Sequence, residues 1–195
     1  MRLTARIATL LASLDDNLLC THIDSRPCIL FSGTRTWRDL LFDDLDVRPR
    51  HWPTAERGGA VHGGFAERTE RLTEEIPDFL ADNDDLVLGG HSLGGSCAIL
   101  MASRLHARGK NVRSVYTFGV PQLGTTRFQT IYTQQGLWNR TFNYVTPRDP
   151  VVTRIPNVYG RVGVNVILPY DSADVWSHHD MATYARLLAT QRSPS

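Results

Sequence analysis

The segment Gly90-His91-Ser92-Leu93-Gly94 sets a serine between two glycines. Leu86, Val87 and Leu88 before it are apolar and read as a short buried strand. Ala98, Met101, Ala102 and Leu105 after it recur at steps of three and four, the period of a helix. Ser92 is therefore expected at a sharp strand-to-helix corner, the G-x-S-x-G arrangement that projects a nucleophilic hydroxyl. Gly90 and Gly94 fit such a corner because backbone passes too close for a Cβ. The following helix aims free N–H groups and its positive dipole end at the hydroxyl, where a developing oxyanion is stabilised. A glycine-rich turn with an incidental serine would carry the same letters; the strand before and the helix after favour the elbow.

A serine hydroxyl needs a base to take its proton, and the base needs an orienting carboxylate. On elbows of this kind the order along the chain is serine, acid, histidine. Of seven histidines, His22, His51 and His62 precede Ser92, His91 flanks it and is expected to point elsewhere, and His106 lies deep in the elbow helix. His178 and His179 remain, both at the start of the last helical pattern, "WSHHDMATYARLL". Asp149 follows the apolar strand "FNYVT" and precedes Pro150, which suits an acid on a loop past a strand end. The same Asp-Pro pair is also a common turn. The rivals Asp171 and Asp174 come too close before the histidines to occupy a separate strand end. His178, His179 and Asp180 are adjacent and would diverge at a helix start, so no metal site is expected, and the chemistry needs no cofactor.

These residues must be positioned by alternating elements. Leu3, Ile7, Leu10, Leu11 and Leu14 share one helical face, which reads as a first helix rather than a signal peptide. Strands "LLCTHID" and "CILFSG" follow, joined by the turn-rich "DSRP", and then a polar segment from Asp46 to Gly59. A helix is predicted from about Phe65 to Leu80, kinked or split by Pro77. After the elbow come the strand "SVYTFGV", a helix around Thr125 to Gln134, the strand "TFNYVT", a hairpin strand "RVGVNVIL" and a final helix from about Asp180 to Ala189. Strands interleaved with helices predict an α/β fold, a mainly parallel sheet covered on both faces, with the elbow at the carboxyl end of a central strand.

At 195 residues the chain suits a compact single domain over 1–195 with a substantial core. Its 42% hydrophobic and 21% charged residues are ordinary for a globular protein, and a net charge of +1 argues against nucleic acid as a partner. There is no run long enough for a spanning helix. Cys20, Cys28 and Cys97 are odd in number and lack metal-ligand spacing. Cys20 and Cys28 could pair across a hairpin in an exported protein; free thiols in a reducing, cytoplasmic setting are the expectation.

Four blocks in order make the chain resemble the class 3 lipases, the fungal-lipase-like branch of the α/β-hydrolases. They are "ILFSGTRTWRDLLFDDL", "VHGGF", "GHSLGG" with "YTFGVPQLG", and "FNYVTPRDPVVTRIP" with "HDMATY". In that family the histidine stands five residues before a tyrosine, and Tyr184 then selects His179. The resemblance implies Ser92 as nucleophile, His179 as general base and then acid, and Asp149 as orienter. It implies an oxyanion hole from the N–H groups of Leu93 and Thr34, with the Thr34 hydroxyl as a further donor. Two such donors are worth about 3 kcal/mol each. His62 is expected to support the site rather than react. Ser32 stands where the family usually has a basic residue, and the chain is trimmed ahead of the first strand.

In the resembling lipases the stretch after Thr34 forms a lid. Here Trp37, Leu40 and Leu41 fall at helical spacing, so residues 37–60 are a candidate lid and following loop; an amphipathic helix packed permanently on the core is the alternative. The implied function is a carboxylic ester hydrolase on acylglycerols or related lipid esters, with transient contact to a lipid surface. Short-chain or aryl esterase and phospholipase A1 activity fit the same scaffold. A catalytically silent lipid-binding protein is the second class, and the complete set Ser92, Asp149 and His179 weighs against it.

Overall fold

The structure is a computed structural model that describes residues 2–15, 17–33, 48–53, 59–154 and 159–190. Helix α1 (Leu3–Ser13) buries Ala5, Ile7, Ala8 and Leu11, the face its sequence spacing marks. Strands β1 (Leu18–Ile23) and β2 (Arg26–Phe31) form an antiparallel hairpin. Its turn is the two residues Asp24 and Ser25, with φ of 51° and 62°. Two left-handed residues match the twist of a tight hairpin. The turn is therefore shorter than "DSRP", and Arg26 and Pro27 belong to β2. The register sets Thr21 opposite Cys28 and Cys20 opposite Ile29. Side chains alternate along a strand, so Cys20 and Cys28 lie on opposite sheet faces and cannot pair; all three cysteines are free thiols.

The polar segment before Gly59 holds an element that its sequence does not announce. Strand β3 (Pro49–His51) pairs antiparallel with β4 (Ala60–His62) in a small separate sheet, and Trp52 beside it is fully buried. Three-residue strands are too short to show a period. The helix expected over 65–80 is two helices, α2 (Gly63–Thr73) and α3 (Pro77–Asp82). Pro77 opens α3 and holds Ile76 outside the helical region, at φ −126° and ψ 21°. A proline has no N–H to continue α2 and crowds the residue before it, so it starts a helix instead.

Strand β5 (Leu86–His91), helix α4 (Leu93–Ala107), strand β6 (Val112–Phe118), helix α5 (Thr126–Gln134), strand β7 (Thr141–Val145), helix α6 (Pro150–Arg154), strand β8 (Val164–Ile167) and helix α7 (Met181–Thr190) complete the order. The main sheet runs β1-β2-β5-β6-β7-β8, parallel throughout except for the β1–β2 hairpin. Strand β8 corrects the reading of "RVGVNVIL" as a hairpin strand. It pairs parallel to β7 at the sheet edge, after the chain has crossed back through α6. Its outward Ile167 is 67% exposed. An edge strand with one wet face alternates just as a hairpin strand does, so periodicity cannot tell the two apart.

Two cores flank the sheet. On one face α2 and α4 pack with Ile29, Phe31, Leu88, Val115 and Phe128; on the other α1 and α7 pack with Cys28, Leu30, Val87 and Phe118. Each such buried Leu, Ile or Phe stabilises the fold by about 1.5–3 kcal/mol. Helix α4 is buried on nearly every side, from Leu93 through Ser103, so the elbow it carries is anchored at the centre of the molecule.

Candidate active site

Ser92 lies between β5 and α4 with φ 53° and ψ −124°. A left-handed serine of this kind costs on the order of 1–3 kcal/mol and persists because its surroundings impose it. Its N–H donates to the Phe118 carbonyl at 2.9 Å, tying the corner to β6. The flanking glycines are required by close backbone. A Cβ on Gly90 would meet the Gly94 carbonyl, and one on Gly94 would meet the carbonyl oxygens of Phe31 and Ser32.

His179 follows a 3₁₀ turn (Val175–His178) and precedes α7. Its Nε2 is 2.9 Å from Ser92 Oγ, and its Nδ1 is 2.9 Å from both Oδ1 and Oδ2 of Asp149. Asp149 can only accept, so Nδ1 carries the proton and the Nε2 lone pair faces the serine hydroxyl. Ser92, His179 and Asp149 are 5%, 2% and 0% exposed. Electrostatic contacts are stronger in such a dry setting than in water.

Asp149 is held by more than the histidine. The Tyr184 hydroxyl donates to its Oδ2 at 2.8 Å, and the N–H groups of Val151 and Val152 donate to its Oδ1 at 2.9 and 3.4 Å. Asp149 is thus the N-cap of α6, with Pro150 in the first helical position. Asp-Pro forms a turn here, and the cap fixes the carboxylate that the histidine meets. Burial and the neighbouring carboxylate raise the Tyr184 pKa well above its ordinary value, so it stays a donor. Gly119, at φ 59°, passes directly beneath the pair; a Cβ there would lie 2.6 Å from Asp149 Oδ2 and 2.9 Å from His179 Nδ1.

His178 and His179, adjacent in sequence, part company here. The Thr146 hydroxyl donates to the His178 carbonyl at 2.7 Å, and His178 Nδ1 lies 3.2 Å from the same hydroxyl. Asp174 is not an acid partner but caps the 3₁₀ turn, accepting the Trp176 N–H at 3.0 Å. His62 is buried and stacked on Phe65 at 4.1 Å. Leu93 opens α4, so its N–H is among those with no acceptor inside the helix. Gly33 passes beside the nucleophile, where an added Cβ would sit 3.4 Å from Ser92 Cβ. Thr34, Trp37, Leu40 and Leu41 lie outside the described residues. Of the candidate lid and loop, residues 48–53, 59 and 60 are described and supply β3, the buried Trp52 and the first residue of β4.

Two residues near the triad were not anticipated in these roles. In the sequence Tyr184 only marks the histidine by its spacing, and in the structure its hydroxyl holds Asp149. His91 was expected to point away; instead its ring lies 4.7 Å from the His179 ring and its Nε2–H donates to the His179 carbonyl at 2.7 Å. Desolvation first, and then the neighbouring His179, push the His91 pKa down to about 3. Above pH 6.5 His91 is neutral in both folded and unfolded chains and costs nothing. As pH falls from 6.5 towards 3 the unfolded chain takes up a proton that the folded chain refuses, and stability drops by up to about 1.4 kcal/mol per pH unit. Denaturant unfolding at pH 7 and pH 5 should therefore show a steeper acid loss for the wild type than for His91→Asn, with the gap between them changing by about 1–2 kcal/mol. Parallel losses would refute a neutral His91 in the folded chain.

A mainly parallel sheet carrying a serine elbow at a central strand, with a histidine and a carboxylate delivered from later strand ends, defines an α/β-hydrolase fold. Residues 28–160 match the family described as Lipase (class 3), and the chain belongs to that family. Among solved structures, a mutant of MDLA from Penicillium cyclopium superposes with a TM-score of 0.68 at 20% identity, covering 85% of this chain and 67% of that one. The lipase from Rhizopus microsporus var. chinensis gives 0.62 at 24% identity, covering 80% and 58%. Among curated relatives, a lipase of Rhizomucor miehei is 29% identical over 159 residues, 75% of this chain and 42% of that protein. Phospholipase A1 EG1 of Oryza sativa subsp. indica, chloroplastic/mitochondrial, is 28% identical over 162 residues, 68% of this chain and 37% of that protein. The chain thus spans less than half the length of these relatives.

Proposed function

We propose that this chain is a serine carboxylic ester hydrolase acting on acylglycerols or related lipid esters. The observation that carries the reading is the unbroken relay from Ser92 Oγ to His179 Nε2 and from His179 Nδ1 to Asp149, each link 2.9 Å long. In this reading Ser92 Oγ attacks the ester carbonyl while His179 Nε2 takes its proton. The tetrahedral oxyanion is met by the Leu93 N–H, with Thr34 as the second donor. His179 then returns the proton to the departing alcohol, leaving an acyl-enzyme. Water activated by His179 frees the acid and restores Ser92. Asp149 orients His179 and stabilises the imidazolium, and the hydrogen bonds it accepts from Tyr184 and the α6 N-terminus support that role. Relatives named lipase, secreted mono- and diacylglycerol lipase and phospholipase A1 support a lipid ester as the substrate class.

The test is turnover of p-nitrophenyl esters from acetate to palmitate, beside labelling by a fluorophosphonate. Turnover with a label on Ser92 is the expected result, and the chain-length profile separates lipase from short-chain esterase. No turnover and no label would overturn the hydrolase reading in favour of a silent lipid-binding protein.

A further inference from the structure

A cavity of about 480 Å³ opens beside His179 on the α1 side of the elbow. Its apolar lining is Leu11 from α1, Leu14 just past the end of α1, Trp176 from the 3₁₀ turn and Met181 from α7; Ser32, Gly33 and His91 line it as well. The volume is in the range of small-molecule sites. Much of the wall comes from outside residues 28–160, the part that matches the family.

Which half of an ester enters follows from the proton's path. His179 Nε2 must hand its proton to the leaving oxygen, so the alcohol has to emerge on the histidine's side of Ser92. This cavity is lined by His179 and not by Ser92. The charged side chains among its described lining residues are of one sign. Asp174 and Asp180 line it, and among the described lining residues there is no lysine or arginine. Both carboxylates are pinned as helix caps, Asp174 by the Trp176 N–H at 3.0 Å and Asp180 by the Ala182 N–H at 3.2 Å. Ser177 lies between them in sequence and lines the same cavity; its hydroxyl donates to the Asp174 carbonyl at 2.6 Å and accepts from the Tyr170 hydroxyl at 3.1 Å.

Resting on the hydrolase reading above, we propose that this cavity is the alcohol subsite and that Asp174 and Asp180 select a neutral polyol, such as a glycerol hydroxyl face, against an anionic phosphate headgroup. Carboxylates and serine hydroxyls accept and share hydrogen bonds with free alcohol groups, whereas a phosphodiester meets two like charges. Both aspartates are solvent-exposed, so the discrimination is screened by salt.

The experiment compares kcat/KM for a monoacylglycerol and for a lysophosphatidylglycerol of the same acyl chain, in the same detergent, at low and high ionic strength. The wild type should prefer the neutral ester by about tenfold at low salt. The preference should shrink severalfold in Asp174→Asn/Asp180→Asn, where asparagine keeps the caps, and in high salt. A second variant tests the half of the ester assigned. Leu14→Trp, at a half-buried site at the end of α1, should penalise esters more as the alcohol grows from methyl to glyceryl, and not as the acyl chain lengthens. A headgroup preference unmoved by the double variant, or a Leu14→Trp penalty that follows acyl length, overturns the proposal while leaving the hydrolase reading in place. Failure of the wild type on every ester, with Ser92 unlabelled by fluorophosphonate, removes the hydrolase reading and this subsite with it.

Discussion

Ser92→Ala and His179→Ala are each expected to lower kcat/KM on p-nitrophenyl esters by about 10⁴-fold or more, and the double variant to lose little beyond either single one. The two side chains form one device: without the base, the serine proton has no acceptor, and without the serine the base has nothing to activate. Groups that act as a unit are strongly non-additive, and what survives is the contribution of the oxyanion donors and of binding. Neither substitution should threaten folding. Ser92→Ala retains the N–H bond to Phe118, and the loss of its hydroxyl leaves a methyl-sized side chain in the same place. His179→Ala opens a small cavity beside Asp149, whose carboxylate keeps Tyr184 and the α6 N–H groups. Steady-state rates on purified proteins with matched melting curves are the measurement. A single variant within tenfold of wild type, or losses that multiply, would overturn the assignment of these two residues as a coupled pair.

The largest structural effect is expected at Gly94. An added methyl there has nowhere to go, because the carbonyl oxygens of Phe31 and Ser32 already occupy the space and both belong to backbone rather than to a side chain that can swing away. Either α4 backs off from β2 or the elbow distorts, and both expose the central core. Gly94→Ala should cost about 3 kcal/mol or more, which for a chain of this length lowers Tm by roughly 6–12 °C. Gly109→Ala is the control. Its φ of 81° also strains an alanine, but nothing lies within 4 Å of the added carbon. That variant should lose only about 1–2 kcal/mol, the left-handed penalty alone. Calorimetry of the two decides it: a Gly94→Ala melting point within 3 °C of wild type, or below Gly109→Ala by nothing measurable, would mean that the elbow is not held by backbone contact.

Much of the architecture is legible in one dimension because its causes are local. The apolar face of α1, the buried run of β5 and the small residues of α4 are each set by which side chains can sit against the sheet. The serine elbow follows from a strand, a helix and two glycines within a few residues of one another. Pro77 announces a break in the helix before it, and the structure shows the break as a new helix rather than a kink, since proline's missing N–H is harmless in a first turn. Where the cause was not local the reading thinned. Strands β3 and β4 are three residues each and gain their identity from pairing, β3 with β4 and β4 also with Gly124.

The residues alone determined that this chain carries a serine at a strand-to-helix corner, one well-placed aspartate and two histidines at the right end of the chain, of which the class 3 spacing to Tyr184 marks His179. Tertiary structure decided the rest. It turned His179 towards Ser92 and His178 towards Thr146, laid the His91 ring against His179, and brought Tyr184 up to Asp149. It placed β8 parallel to β7, and it put Cys20 and Cys28 on opposite faces of one hairpin. The physical reason is the same each time. Local pattern sets which face of an element is apolar, whereas register, chain direction and the meeting of side chains are set by contacts between elements, from the neighbouring strands of the β1–β2 hairpin to His179 and Ser92, which stand 87 residues apart.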